Sequence, residues 1–511
     1  MKKKKRKWIA GLLAFGLLAG CQKPVQKQAD TLVYASQDYT RIDPIVDEHG
    51  EINLLLFDGL TAHDENNDVV PALATSWTYD EAAQTWTFHL RNDVTWHDGE
   101  PFSAEDVKFT IEAIMDPDNE SENAANFMDV ESIETPDGQT VIFKLAEPNV
   151  AFIDYMSIPI LPKHCLEGED MQTSDFFRHP VGTGPYALEA WETGQAITMR
   201  ANDAYFAGEP NIKNVVFKIV PDSNARALQL RGGEVDLAQL APKDAQGFKD
   251  MEGFDVYDMK TADYRGILYN FNNPYWHQNK DIIPAISYAI DRDAIVQSVL
   301  LGQGEAAYSP IQKNEYNDEG MERFDYDPQK SEALLQAAGC VKNEDGFYER
   351  DGEIIGFTLV APADDSVRQD IARIVAQQLN DVGIDCSIDV PAQVDWSKQM
   401  AYVIGWGSPF DADDHTFKVF GSGQAANYAS YTNADVDRYL QAARSSADPA
   451  ARKVAYASFL QALTQDPAFT FICYVDADYV ADSRVRGIVP EQVLGHHGVG
   501  IFQNIEQWTI S

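Results

Sequence analysis

Between residues 354 and 390 the chain runs strand, helix, strand with short links, an order that few folds accommodate. Ile354 to Val360 is strand-like, Ser366 to Asn380 places Ile371, Ile374 and Leu379 on one helical side, Gly383 is a C-terminal stop, and Ile384 to Val390 reads as a second strand. Two strands joined through a helix pair in parallel, and a parallel sheet must be covered on its faces, so this region predicts a βαβ unit in a layered body. Residues 71 to 115 follow a different pattern. Ser76 to Tyr79 and Thr85 to Leu90 flank the polar turn Asp80 to Gln84, as in an antiparallel hairpin. Beyond Asp98-Gly99, Ser103 stands three residues before Asp106 as a capping box, and Val107, Ile111 and Ile114 share one face of the helix that follows. Val141 to Leu145 is another strand, and Thr31 to Ser36 starts the ordered body. No repeat of about 20–50 residues interrupts these patterns, which excludes a solenoid or propeller and predicts a mixed α/β and α+β protein of several lobes.

With 511 residues, 44% of them apolar, the chain has material for two or three cores at about 150 residues per domain. Asp plus Glu number 80 against 40 Lys plus Arg, a formal charge of −40. Lys2 to Lys5, Arg6 and Lys7 supply six of those cations, so everything from residue 21 onward carries 34 basic against 80 acidic groups. Such a field repels phosphate backbones, argues against a nucleic-acid partner and suits cationic ligands.

The N-terminus reads MKKKKRKWIAGLLAFGLLAGC. Its apolar run Trp8 to Ala19 has 12 residues, too few for the roughly 20 that span a bilayer, so residues 1–20 are expected to be an export signal. Leu18-Ala19-Gly20-Cys21 resembles the bacterial lipobox, which implies a diacylated Cys21, a polar tether over 21–30, and a body held at the outer side of a membrane. The remaining cysteines, Cys165, Cys340, Cys386 and Cys473, form no CxxC; one bridge among them is left open. Phosphate-loop, nucleophile-elbow, HExxH and EF-hand strings are absent, so neither an enzyme nor a cofactor is expected.

Longer stretches resemble the extracytoplasmic solute-binding proteins of family 5, the receptors of peptide and nickel ABC importers. The strongest is PALATSWTYDEAAQTWTFHLRNDVTWHDGEPFSAEDVKFTIEAIMD, residues 71 to 116. Val181-Gly182-Thr183-Gly184-Pro185-Tyr186, residues 230 to 236 (LRGGEVD), Tyr269-Asn270-Phe271-Asn272, Ala289-Ile290-Asp291-Arg292, Tyr326-Asp327-Pro328 and Gly405-Trp406-Gly407 follow in the family's order. The resemblance implies a two-lobed periplasmic-binding-protein-like fold with an additional inserted lobe. Lobe I would comprise 31–62, 186–275 and 480–511, the inserted lobe 63–185, and lobe II 276–479. It also implies a monomer that captures solute between closing lobes and delivers it to permease subunits.

The resemblance further places ligand contacts in the loop after Gly405. In peptide-binding relatives an Asp shortly after Gly-Trp pairs with the peptide's α-ammonium; here Pro409 occupies the expected position and Asp411 is the substitute. Trp-Gly-x-Pro-aromatic resembles the nickel-binding branch and would put Trp406 and Phe410 in the cleft. Residues 116 to 160 hold ten acids, one Lys and no Arg, the wrong charge for an anionic chelator. Peptides, cationic ones above all, are therefore the first expectation and nickel or a metal–chelator complex the alternative, with a sensory receptor behind both. Tyr39 and Arg41 would enter the cleft from the loop after the first strand, with Asp47 and His49 at its rim. His49, His415, His496 and His497 are the imidazoles for a metal. Neighbouring His496 and His497 would face opposite ways on a strand.

Overall fold

The computed structural model describes residues 30–46, 50–363, 365–395 and 398–511; the leader, Cys21, the tether, Asp47 and His49 lie outside them. Three larger sheets organise the chain. A seven-stranded sheet runs in the order Phe254–Met259, Ala477–Asp482, Leu237–Leu240, Thr31–Ser36, Asn214–Ile219, Ala196–Ala201, Tyr186–Glu192. At its centre Thr31–Ser36 pairs in parallel with both Asn214–Ile219 and Leu237–Leu240. A six-stranded sheet has the order Gly304–Ala306, Phe469–Val475, Tyr264–Tyr269, Ala401–Ile404, Gly356–Val360, Asp385–Asp389. A four-stranded sheet is built from Ala74–Asp80, Thr85–Leu90, Thr140–Leu145 and Val130–Asp137.

The local patterns are realised. Gly356–Val360, helix Ser366–Val382 and parallel Asp385–Asp389 form the βαβ unit. Gly383 ends the helix at φ 96°, a left-handed cap that glycine adopts without strain. The hairpin pairs Ala74–Asp80 with Thr85–Leu90, and Ser103 and Asp106 exchange the two bonds of a capping box at the start of Ala104–Met115.

Leu32, Phe217 and Tyr479 of the seven-stranded sheet belong to the same buried cluster as Phe88, Phe143 and Phe152 of the four-stranded layer. The inserted lobe is thus welded to lobe I, because one apolar core passes between them. The six-stranded sheet is buried in other clusters on its two faces, around Ile371 and Ile472 on one side and Phe420 and Tyr456 on the other. Strand pairing also moves the expected lobe boundaries. Tyr264–Tyr269 belongs to the six-stranded sheet and Ala477–Asp482 to the seven-stranded one, so the chain crosses between lobes at 260–263 and at 476, not near 275 and 480. The two crossings are laced together: Val475 N–H donates to Asp263 O at 3.0 Å and Thr261 Oγ1 to Val475 O at 2.6 Å.

Several family-like strings are explained by packing alone. A Cβ on Gly182 or Gly184 would lie 1.7 Å from Leu56 O or 2.5 Å from Leu55 O, so only glycine allows this crossing of backbones. Arg292 is buried and donates to five carbonyls, those of Ser287, Ile290, Ala307, Phe324 and Phe471. Its charge is met by backbone dipoles rather than by a ligand.

Glu51 shows how burial couples to pH. It accepts from Tyr479 OH at 3.1 Å and Gly500 N–H at 3.2 Å, and burial pushes its carboxyl up to about 7. A raised acid pKa favours folding while the proton is bound. The contribution is full below the unfolded value near 4.5 and is lost as pH rises through 7. Glu51→Gln, which stays neutral, is expected to be more stable than the parent at pH 8 by on the order of 3 kcal/mol and to match it near pH 4. Thermal melts across that range check this, and equal melting temperatures at pH 8 would refute it.

Candidate functional site

Gly405-Trp406-Gly407 follows strand Ala401–Ile404 and runs beside the first crossing, where Tyr264 N–H donates to Trp406 O at 2.9 Å. A Cβ on Gly405 would meet Tyr264 O at 1.8 Å and one on Gly407 would meet Ala262 O at 1.9 Å, so both glycines are required by close backbone contact. That contact fixes the loop which follows at the mouth between lobes. Trp406 and Phe410 from this loop line a cavity of ≈ 310 Å³ together with Phe57, Asp58 and His496 of lobe I and His63 and Asp154 of the inserted lobe. Asp414 and Glu506 add two more carboxylates to the wall, and Lys418 a cation.

The aromatic residues act across the cleft. Phe410 stacks on His63 with ring centroids 3.6 Å apart and planes at 10°, and His63 Nε2 lies 3.2 Å from Asp154. Asp58 accepts from Thr183 Oγ1 at 2.8 Å and Tyr205 OH at 2.9 Å, while burial pushes its carboxyl up to about 6.

Two expected histidines reach the wall. His496 Nδ1 is 2.8 Å from Asp263, the buried carboxylate at the lobe crossing. Burial acts to raise Asp263, but Arg265 and His496 outweigh it and hold the carboxyl well below the usual range. An ionised carboxylate bonded to Nδ1 fixes the orientation of the ring, as carboxylates do behind metal-binding histidines. His415 lines the cavity too. Burial pushes it down to about 4, so the ring is neutral; Nε2 donates to Pro310 O at 3.0 Å, and Nδ1 is buried with no partner among the described residues. His497 does not line the cavity. It occupies a turn at φ 58°, not a strand, and its ring tilts onto that of His496 at 3.9 Å instead of facing away.

The remaining expectations are corrected. Asp411 is not an ammonium site: both its oxygens are held at 2.6 Å by Arg452, a buried fork-to-fork pair inside lobe II. Arg41 does not hold a ligand carboxylate. It pairs with Asp43 at 2.6 Å, donates to the carbonyls of Met171 and Gln172, and covers the Phe177 ring at 4.3 Å. Tyr39 packs against the lobe I core and does not line the cavity. No local signal marked His63 or Asp263, whose partners are 91 and 233 residues away.

Beside the cavity, which Tyr155 lines, a buried charge network joins the inserted lobe to lobe II. Arg444 binds Asp413 at 2.7 Å and Asp129 at 3.3 Å, covers Phe417 at 3.5 Å, and its carbonyl accepts from Val150 N–H at 3.0 Å. Tyr155 OH donates to Asp413 from the inserted lobe.

Comparison with known proteins places this architecture. A sequence model of bacterial extracellular solute-binding proteins, family 5 Middle, matches residues 68–428. The oligopeptide-binding protein AppA of Bacillus subtilis is 30% identical over 489 residues, 91% of this chain and 88% of that protein. The crystal structure of NikZ from Campylobacter jejuni in complex with Ni(L-His) is 36% identical and superposes with a TM-score of 0.90 over 94% of this chain and all of that one. AppA in complex with a nonapeptide gives 27% and 0.83 over 96% of this chain and all of that one.

Proposed function

The chain belongs to the bacterial extracellular solute-binding proteins of family 5, and on that premise we propose that it closes its lobes over one compact solute and hands it to the permease of an ABC importer. Its lobes, hinge crossings and interlobe cavity are the parts such a receptor needs, since a ligand that contacts both sides stabilises the closed form. Cleavage before Cys21 and acylation of its thiol would keep the receptor at the membrane as a monomer.

The solute that suits this cavity best is a divalent transition metal, nickel first, carried by a small amino-acid chelator. The observation that carries the reading is His496, held by Asp263 in the cavity wall, a carboxylate–histidine pair of the kind that supports metal ligands. Size agrees. A volume of ≈ 310 Å³ lies at the small end of the roughly 300–1,000 Å³ of small-molecule sites.

A peptide is the second reading, favoured by the carboxylates of Asp58, Asp154, Asp414 and Glu506 in the wall, which suit an α-ammonium or a cationic side chain. The likeness to AppA supports it as well.

Native mass spectrometry of protein purified from cells without refolding separates the two. The expected spectrum shows one adduct with a nickel isotope pattern plus a small chelator, removed by EDTA, on a chain lacking residues 1–20 and carrying acyl mass on Cys21. A ladder of peptide masses would overturn the metal reading in favour of the peptide one, and an unmodified Cys21 would overturn the anchor.

A further inference from the structure

Outside the cleft, one group of ligand-type side chains converges from two separate segments of the inserted lobe. Asp98 stands in the turn that precedes the capped helix Ala104–Met115, and His164 and Cys165 lie on the short helix Lys163–Leu166. One ligand atom from each, a carboxylate oxygen, an imidazole nitrogen and Sγ, lie within 4.8 Å of one another. We propose that Asp98, His164 and Cys165 form a second metal site, separate from the cleft, for a borderline-soft divalent ion of the zinc class.

The donor set decides the class of ion. A thiolate, an imidazole and a carboxylate are the three donor types that zinc accepts, three of them leave a fourth tetrahedral position for water, and the sulfur disfavours magnesium and calcium. The arrangement is held before any ion arrives. Asp98 Oδ1 accepts from Glu100 N–H at 3.1 Å, its Oδ2 lies 2.8 Å from His164 Nε2, and the His164 ring rests 6.1 Å from the Trp96 ring. His164 and Asp98 side chains keep 34% and 35% of their surface in contact with solvent, so an ion can reach them. Cys165 is suited to the role by its place. Cys340, Cys386 and Cys473 are buried, whereas Cys165 is half-buried and unbridged. Binding would form bonds from the ion to Oδ2, Nε2 and Sγ, move the imidazole proton from Nε2 to Nδ1, and release the thiol proton to solvent. The net effect would be to staple the Asp98 turn to the Lys163–Leu166 helix.

Cobalt is the probe, because a thiolate bound to Co²⁺ gives a near-ultraviolet charge-transfer band that oxygen and nitrogen ligands do not give. With the full-length purified protein, one equivalent of Co²⁺ is expected to produce that band and Zn²⁺ to abolish it by displacement. Cys165→Ser should lose the band completely, His164→Ala should weaken cobalt affinity more than tenfold, and the cleft variant His496→Ala should keep the band. Zn²⁺ should also slow alkylation of Cys165 in the unaltered protein at least tenfold, a measurement that needs no variant to fold. No band, a band that survives Cys165→Ser, or alkylation indifferent to Zn²⁺ would overturn the site. A band lost in His496→Ala would assign the sulfur signal to the cleft and overturn it as well.

Discussion

His496→Ala is expected to weaken capture of a nickel–histidine chelate by 100-fold or more, about 2.7 kcal/mol, while the ligand-free protein still melts cooperatively. The imidazole lines the cavity and the alanine leaves no donor in its place. Its support can be removed separately. Asp263→Asn keeps the shape of the partner but not its charge, so it holds the His496 ring less firmly; a tenfold to 100-fold loss is the usual scale for such partners. Asp263 also pairs with Arg265 and sits at the lobe crossing, so this second variant should lose more stability than His496→Ala. Titration calorimetry with the preformed chelate, read beside thermal melts, checks both. Unchanged nickel affinity in His496→Ala would move the metal away from this ring, and peptide binding undisturbed by the same change would make the peptide reading the stronger one.

The second large effect lies at the junction of the inserted lobe with lobe II. Arg444→Ala would leave Asp413 and Asp129 buried at the junction of lobe II with the inserted lobe, with no cation between them. Breaking a buried ion pair from one side costs about 3–5 kcal/mol, because the abandoned charge stays out of water. Here that cost falls on the closed form: parting the lobes exposes this junction, so the open form hydrates both carboxylates. The expected result is a fall of about 10²–10³-fold in apparent ligand affinity, whatever the ligand, with a smaller change in the melting of the ligand-free protein. Tyr155→Phe is the milder companion. It removes the hydroxyl that reaches Asp413 from the inserted lobe without removing a cation, and should lower affinity by about 1–3 kcal/mol. Small-angle scattering should show both variants more open at equal ligand concentration. Full affinity in Arg444→Ala would mean that the network supports lobe II alone and does not hold the lobes together.

Both predictions rest on residues whose roles differ in how far the sequence discloses them. Trp406 and Phe410 were legible because family resemblance marks the Gly405-Trp406-Gly407 loop, and the glycine contacts with Ala262 and Tyr264 explain why that loop is rigid. Asp411 stands in the same loop, yet its partner Arg452 is 41 residues away on helix Pro449–Gln465, and no spacing rule connects them. Arg41 misled for a related reason. A basic residue in a cleft loop suggests an anion partner, but Met171, Gln172 and Asp43 take its donors once the inserted lobe folds back on it.

The sequence by itself determined the hairpin at 74–90, the capping box at Ser103, the βαβ unit at 356–389 and the family, because these depend on residue order over a few turns or on strings of glycine, proline and aromatic residues. Tertiary structure alone decided where the chain changes lobe, since the assignment of Tyr264–Tyr269 depends on strands more than 100 residues distant. It also decided which of the two neighbouring histidines lines the cavity. His496 and His497 are equivalent in sequence, and they part company because His497 turns at φ 58° while the His496 ring is held by a carboxylate 233 residues earlier, at the first crossing between the lobes.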